Sequence, residues 1–116
     1  MDLVARRFEA ADEVRRFDHG RLEVVGLAGQ QVGLATFDPG WRWSLHVRPV
    51  AASSSCQVHH IGYLLSGRLA VRMDDGTEAV AGPRDLVSVP AGHDGWVVGE
   101  SPCVMLDWGG ATTYAR

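Results

Sequence analysis

The sequence predicts an all-β fold, a small sandwich or barrel of short strands, and three observations carry that expectation. Apolar runs are short and recur along the whole chain, with no long stretch at helical spacing. Turn-forming dipeptides separate them at regular intervals, and the chain holds 14 glycines. Its length of 116 residues suits one domain and leaves little room for a second.

Taken in order, the chain opens with one place for a short helix or helical turn, Phe8–Phe17. There Asp12 can cap, and Val14 and Phe17 share a face. Strand-like runs follow at Leu22–Leu27, Gln31–Phe37, Trp41–Val47, Val58–Leu65, Arg68–Met73, Glu78–Ala81, Leu86–Val89, Trp96–Val98 and Cys103–Trp108. Asp38-Pro39-Gly40, Ser66-Gly67, Asp74-Asp75-Gly76, Gly82-Pro83 and Pro90-Ala91-Gly92 mark the turns between them. Asp75-Gly76 is the sequence of a type I′ hairpin turn. Pro49–Ser55, small and polar, reads as a mobile loop. Periodicity alone does not choose between sandwich and barrel.

Composition narrows the function classes. Hydrophobic residues make up 46% and charged residues 22%, which is globular usage rather than that of a disordered chain. A formal charge of -3 speaks against nucleic acid as the partner, and the arginine pairs Arg6-Arg7 and Arg15-Arg16 lie among acidic neighbours. No apolar run approaches the ~18 residues of a membrane span, and the charged N-terminus lacks a signal-peptide core, so a cytoplasmic location is expected. Two cysteines, Cys56 and Cys103, are too few for a disulfide framework and are expected as free thiols. All 11 basic residues are arginine, which excludes Schiff-base chemistry on a lysine.

From Asp38 to Trp96 the chain resembles the two-motif core of the cupin family. Gly40 is followed by five residues and His46, as the first motif requires. His60 is followed by six residues and Gly67, within Tyr63-Leu64-Leu65-Ser66-Gly67. Arg84-Asp85, four residues and Pro90-Ala91-Gly92 match the frame of the second motif, with His93 next. The resemblance implies a cupin, or jelly-roll, double-stranded β-helix barrel over residues 31–110. Residues 1–30 would be an N-terminal segment with a short helical turn, packing on or crossing to the barrel. A homodimer is also expected.

The chain departs from the family pattern at the metal ligands. Arg48 replaces the second histidine of the motif pair, His60 stands where the glutamate would be, and Gly95 occupies the second-motif histidine position. His93 lies two residues before Gly95, which keeps strand parity, and Cys56 lies four residues before His60. The expected ligand set is therefore His46, Cys56, His60 and His93 around a divalent transition metal. Imidazole and thiolate suit zinc first, with iron, nickel or copper as the other choices.

Arg48, Arg42 and Trp96 are the candidates for binding a small organic substrate, and the two arginines suit an anionic one. Asp94 is the candidate general base or orienter, and Tyr63 a hydrogen-bond donor to substrate. Trp41, Trp43 and Trp96 suit an aromatic mouth, though core packing is the plainer role for tryptophan. His59 falls on the face opposite His60, and Cys103 reads as core. Two functions remain open at this point, a metal-dependent enzyme and a non-catalytic binding or sensing module; a metal-free barrel is the plain alternative.

Overall fold

Alternation of inward and outward side chains organises the molecule. The computed structural model describes residues 2–51 and 53–109, among which nine strands occur. In chain order these are β1 (Glu13–Phe17), β2 (Gly20–Leu27), β3 (Gln30–Phe37), β4 (His60–Ser66), β5 (Leu69–Met73), β6 (Glu78–Ala81), β7 (Leu86–Val89), β8 (His93–Val97) and β9 (Cys103–Asp107). They build two antiparallel sheets, one ordered β1-β2-β3-β9-β4-β7 and the other β6-β5-β8. In β8 and β9 every second residue is buried, so each strand turns one face to the space between the sheets. Leu22, Phe37, Trp43, Leu64, Leu69 and Met105 fill that space from both sides. β1 and β2 belong to the larger sheet itself, and Gly110, the expected end of the barrel, lies outside the described residues. Among the described residues no helix is long and apolar enough to cross a membrane.

Three local expectations are corrected. Between Phe8 and Phe17 only Phe8–Ala10 is helical, as a 3₁₀ turn, and Glu13–Phe17 is strand β1. Asp12 does not cap a helix. Its carboxylate accepts from Arg6 at 2.8 and 2.7 Å and from the Gly26 N–H at 2.7 Å, which pins the N-terminal segment to β2. Trp41–Val47, expected as a strand, instead contains the helical turn α1 (Trp43–His46), followed by α2 (Arg48–Ala51), which runs into the stretch expected as a loop. The cause is Asp94, whose Oδ1 accepts the Ser44 N–H at 3.0 Å and so satisfies an N-terminal donor of α1 from across the fold. The third correction concerns Asp74-Asp75-Gly76. Of these only Gly76 has positive φ, so the loop is not type I′. Met73 and Thr77 close it by backbone bonds, and Asp75 accepts the Thr77 N–H at 2.9 Å.

One close approach requires glycine. A Cβ on Gly67 would lie 2.3 Å from the Pro102 carbonyl oxygen, and its φ is +75°. The chain therefore leaves β4 pressed against the start of β9.

The core makes a direct stability prediction. Leu64 is 0% exposed, so Leu64→Ala is expected to cost about 2–5 kcal/mol. Leu86, 73% exposed, is expected to tolerate alanine within about 0.5 kcal/mol. Urea unfolding of the two variants beside wild type checks the ranking.

Candidate metal centre

β4 begins with His60, and strand parity turns His60, Gly62 and Leu64 inward. His59, one residue earlier, is exposed and lies 3.1 Å from Ser88 Oγ. In the other sheet, Gly92 takes a φ of +91° and delivers the chain into β8, where His93 is buried. Cys56 adds to the free side of β8 as an isolated bridge to His93. The Cys56 N–H donates to the His93 carbonyl at 2.7 Å, and the Gly92 N–H donates to the Cys56 carbonyl at 2.7 Å. Cys56 and His93 therefore stand side by side on one sheet and face His60 on the other.

Each histidine has its outer nitrogen committed. His60 Nδ1 is 2.6 Å from Asp107 Oδ2, and that carboxylate is 2% exposed and also accepts the Gly109 N–H at 3.0 Å. His93 Nδ1 is 2.7 Å from the Pro90 carbonyl oxygen, an acceptor only, so the proton resides on Nδ1. That leaves Nε2 of each ring as the atom able to meet Cys56 or an ion. His60 Nε2 is 3.7 Å from Cys56 Sγ, and the two rings meet edge to face with centroids 5.3 Å apart. One ligand atom from each of Cys56, His60 and His93 lies within 4.8 Å of the others.

The electrostatics follow from this packing. Burial pushes the Cys56 thiol up, but hydrogen bonds from His60, His93 and the Val58 backbone outweigh it and bring the thiol down to about 6. Burial works against a charged His60 as well. The Asp107 hydrogen bond, followed by the contact with Cys56, overcomes it and holds His60 up at about 9. Without an ion the pair is thus thiolate and imidazolium. Cys103, with no such partners, is pushed up by burial to about 11 and is plain core.

His60, His93 and Asp107 line a cavity with about 30 Å³ open to water-sized molecules, room for roughly two waters. The rest of its wall is apolar, with Trp41, Trp43, Val71, Val89 and Met105 among the lining residues. Trp41 Nε1 is buried and has no hydrogen-bond acceptor among the described residues.

The other candidates lie elsewhere. His46 is not with the cluster: its Nδ1 accepts the Arg42 N–H at 3.0 Å and its ring stacks on His19 at 4.2 Å. His46, His19 and Asp18 do converge near the surface. However, that backbone bond puts the proton of neutral His46 on Nε2, which then has no lone pair for an ion. Asp94 and Trp96 sit on the outward face of β8. Arg42 Nε donates to Asp94 at 3.0 Å and its guanidinium stacks over Trp96 at 4.5 Å, so these three engage one another. Arg48 is exposed on α2 beside Ser44 and Ser53, and Tyr63 lies on the face of β4 opposite His60. Trp41 and Trp43 are core walls of the cavity rather than a mouth. Asp107 was not among the sequence candidates. Its signal was the alternation in Cys103–Asp107, which puts a carboxylate on the inward face with Cys103 and Met105.

No family model and no curated protein matches the sequence. Solved structures do resemble the fold. A structural-genomics protein of unknown function from Rhizobium leguminosarum is 21% identical, covering 92% of this chain and 95% of that one at a TM-score of 0.65. A DUF1255 protein from Acidithiobacillus ferrooxidans is 19% identical, with 83% and 85% covered and a TM-score of 0.60. KdgF from Halomonas sp. is 19% identical, with 77% and 76% covered and a TM-score of 0.53. The neighbours include cupin-type folds, so the resemblance seen in the motifs holds at the level of the fold.

The pair can be read by titration of metal-free protein. The ultraviolet absorbance of the Cys56 thiolate should rise with a midpoint near 6 and move upward in His60→Ala; a midpoint at the ordinary thiol value in wild type would refute the pairing. Stability follows with opposite signs. Cys56 is lowered on folding, so its contribution is complete above the unfolded thiol value and lost as pH falls through about 6. His60 is raised, so its contribution is complete below the unfolded imidazole value and lost as pH rises through about 9.

Proposed function

We propose that this chain is a metal-binding small cupin in which Cys56, His60 and His93 hold one divalent transition-metal ion, zinc foremost, for chemistry on a small organic molecule. The observation that carries this reading is the pair of locked imidazoles. Both Nδ1 atoms are engaged by oxygen, and both rings offer Nε2 to the same thiolate. The residues fit the ion by type as well as by position. Two imidazole nitrogens and one thiolate are soft enough for zinc or copper, and the set excludes the all-oxygen sites of magnesium and calcium. Three protein ligands leave a coordination position open, the pattern of a catalytic rather than a structural zinc. When bound, such an ion polarises a carbonyl or lowers the pKa of its water to ~7.

The chain's own groups supply the remaining work. Asp107 orients His60, and the Pro90 carbonyl orients His93. Apolar walls exclude bulk water and strengthen every charge interaction inside. The unpartnered Trp41 N–H is a donor in the cavity wall, which supports a bound species that carries an acceptor atom. An anionic substrate finds no such support, since Arg42 is neutralised by Asp94 and Arg48 stands outside the cavity lining.

A metal-free reading has one observation in its favour. Cys56, His60 and Asp107 line up as thiol, base and orienter, with contacts of 3.7 and 2.6 Å. It gives His93 only a supporting hydrogen bond to the thiolate, because a nucleophile needs one base, whereas an ion employs both rings as ligands. A non-catalytic binding module remains the alternative in function and shares the same ion.

Elemental analysis of tag-free protein is the test. Wild type is expected to hold about one equivalent of a transition metal, and His60→Ala to lose it. Asp107→Asn should keep the fold and weaken the metal by about 10–100-fold against a competing chelator. No metal in wild type after reconstitution would overturn the proposal. With metal present, failure to turn over any small organic substrate would favour the binding module.

A further inference from the structure

A second, larger depression adjoins the metal cavity. It occupies about 620 Å³ along the seam between β6 and β7, within the size range of small-molecule sites. The seam exists because β6 ends one sheet and β7 ends the other, so neither pairs across the gap. Two residues, Val71 and Val89, line both the groove and the metal cavity. The strand registers make the same connection independently. Val89 is the cross-strand partner of His60, and Met73, also on the groove wall, is the partner of His93. Directly opposed residues lie about 5 Å apart, so the groove floor is one side chain from the ligand histidines.

The lining has a definite chemistry. Met73, Val87 and Val89 make an apolar floor, while Asp75, Glu78 and Asp85 stand along the sides. Among the described residues no arginine or histidine lines the groove. Arg72 faces Glu78 in the β5–β6 register but is not part of the wall. Asp75 and Asp85 also accept the backbone N–H groups of Thr77 and Gly82, which fixes both carboxylates at the ends of the seam.

We infer that the β6–β7 seam is the way into the Cys56–His60–His93 centre, and that its ligand is a small molecule with an apolar body and a cationic group. The reacting end passes between Val71 and Val89, the body covers Met73 and Val87, and the cation meets Asp75, Glu78 and Asp85. The nature of the reacting end rests on the metal-centre reading. The route and the charge preference do not.

Metal-free protein allows the route to be tested without turnover, because Cys56, though it lines neither groove nor cavity, has its Sγ 3.7 Å from Nε2 of His60 in the cavity wall. Two methanethiosulfonate reagents serve as probes, one carrying a trimethylammonium and the other a sulfonate group. Modification is mapped to Cys56 by mass, and each rate is divided by that reagent's rate with a small neutral thiol. The cationic reagent is expected to win by about fivefold at low ionic strength, with the advantage fading in salt. Combining Asp75→Asn, Glu78→Gln and Asp85→Asn, which keeps the two backbone caps, should bring the ratio close to one. Val71→Phe should slow both reagents by about tenfold. Leu86→Arg, on an exposed wall position, should reverse the preference without touching the core. Equal normalised rates in wild type, or rates indifferent to Leu86→Arg, would overturn the inference. Prior loading with zinc separates it from the metal reading: zinc that fails to protect Cys56 while the charge preference persists sinks the metal site alone. Zinc that protects Cys56 in the absence of any preference sinks the seam.

Discussion

The hydrogen bond between His60 and Asp107 is the constraint on which the rest of the site depends. A carboxylate buried to 2% exposure is costly unless a donor meets it, and here the donor is an imidazole on the adjacent strand at 2.6 Å. The pairing of β4 with β9 brings Gly62 opposite Asp107, and the absent side chain at Gly62 is what lets the backbones close there. A Cβ on that glycine would come within 2.6 Å of the Leu106 carbonyl oxygen. With Nδ1 held by Asp107, the ring turns Nε2 toward Cys56, and Cys56 is itself tied by backbone bonds to His93. One buried pair thus sets a ring orientation, a sheet register and the meeting of two sheets.

The same arrangement explains why the interior tolerates charge. An isolated thiolate or imidazolium in an apolar wall would revert to its neutral form. Here each charge is the other's partner, and Asp107 adds a third group in line, so the polar atoms satisfy one another within a core of tryptophan, valine and methionine. Such a network is rigid when complete and costly when one member is removed. His93 joins this network through its hydrogen bond to Cys56 and is oriented from its other side by a backbone carbonyl.

Most of the strands were legible because Gly and Pro punctuation and short apolar runs mark them directly; β6 and β7 fall on their expected residues. Cys56, His60 and His93 were legible through spacing and parity, both of which survive into the strands that carry them. His46 was not, and the conflict was already in the sequence. In an extended run Trp41 and Trp43 share one face and His46 takes the other, and both tryptophans are buried. In a strand, burying the indoles sends His46 to the other face; in the helical turn that forms, its Nδ1 is instead tied to the Arg42 N–H and its ring stacks on His19. What could not be read was the capping of α1 by Asp94, fifty residues away from Ser44 in sequence. Asp107 escaped because it lies beyond the matching motifs, though its inward parity was visible.

The open seam raises a physical question of its own. Two unpaired strand edges facing a groove invite pairing with another chain, and acidic side chains along such edges discourage it. Asp75, Glu78 and Asp85 would serve that end with no ligand at all. The three are not equivalent, however. Asp75 and Asp85 are placed by turn chemistry, each accepting a backbone N–H, so their presence is explained before any ligand is considered. Glu78 has no backbone bond to make and lies on the edge strand, opposite Arg72. Protection of an edge is served equally well by either sign of charge, and arginine is available to this chain in abundance. With Asp75 and Asp85 accounted for by their turns, the negative sign at Glu78, beside a floor shared with the His60–His93 cavity, is what edge protection leaves unexplained and a cationic ligand accounts for.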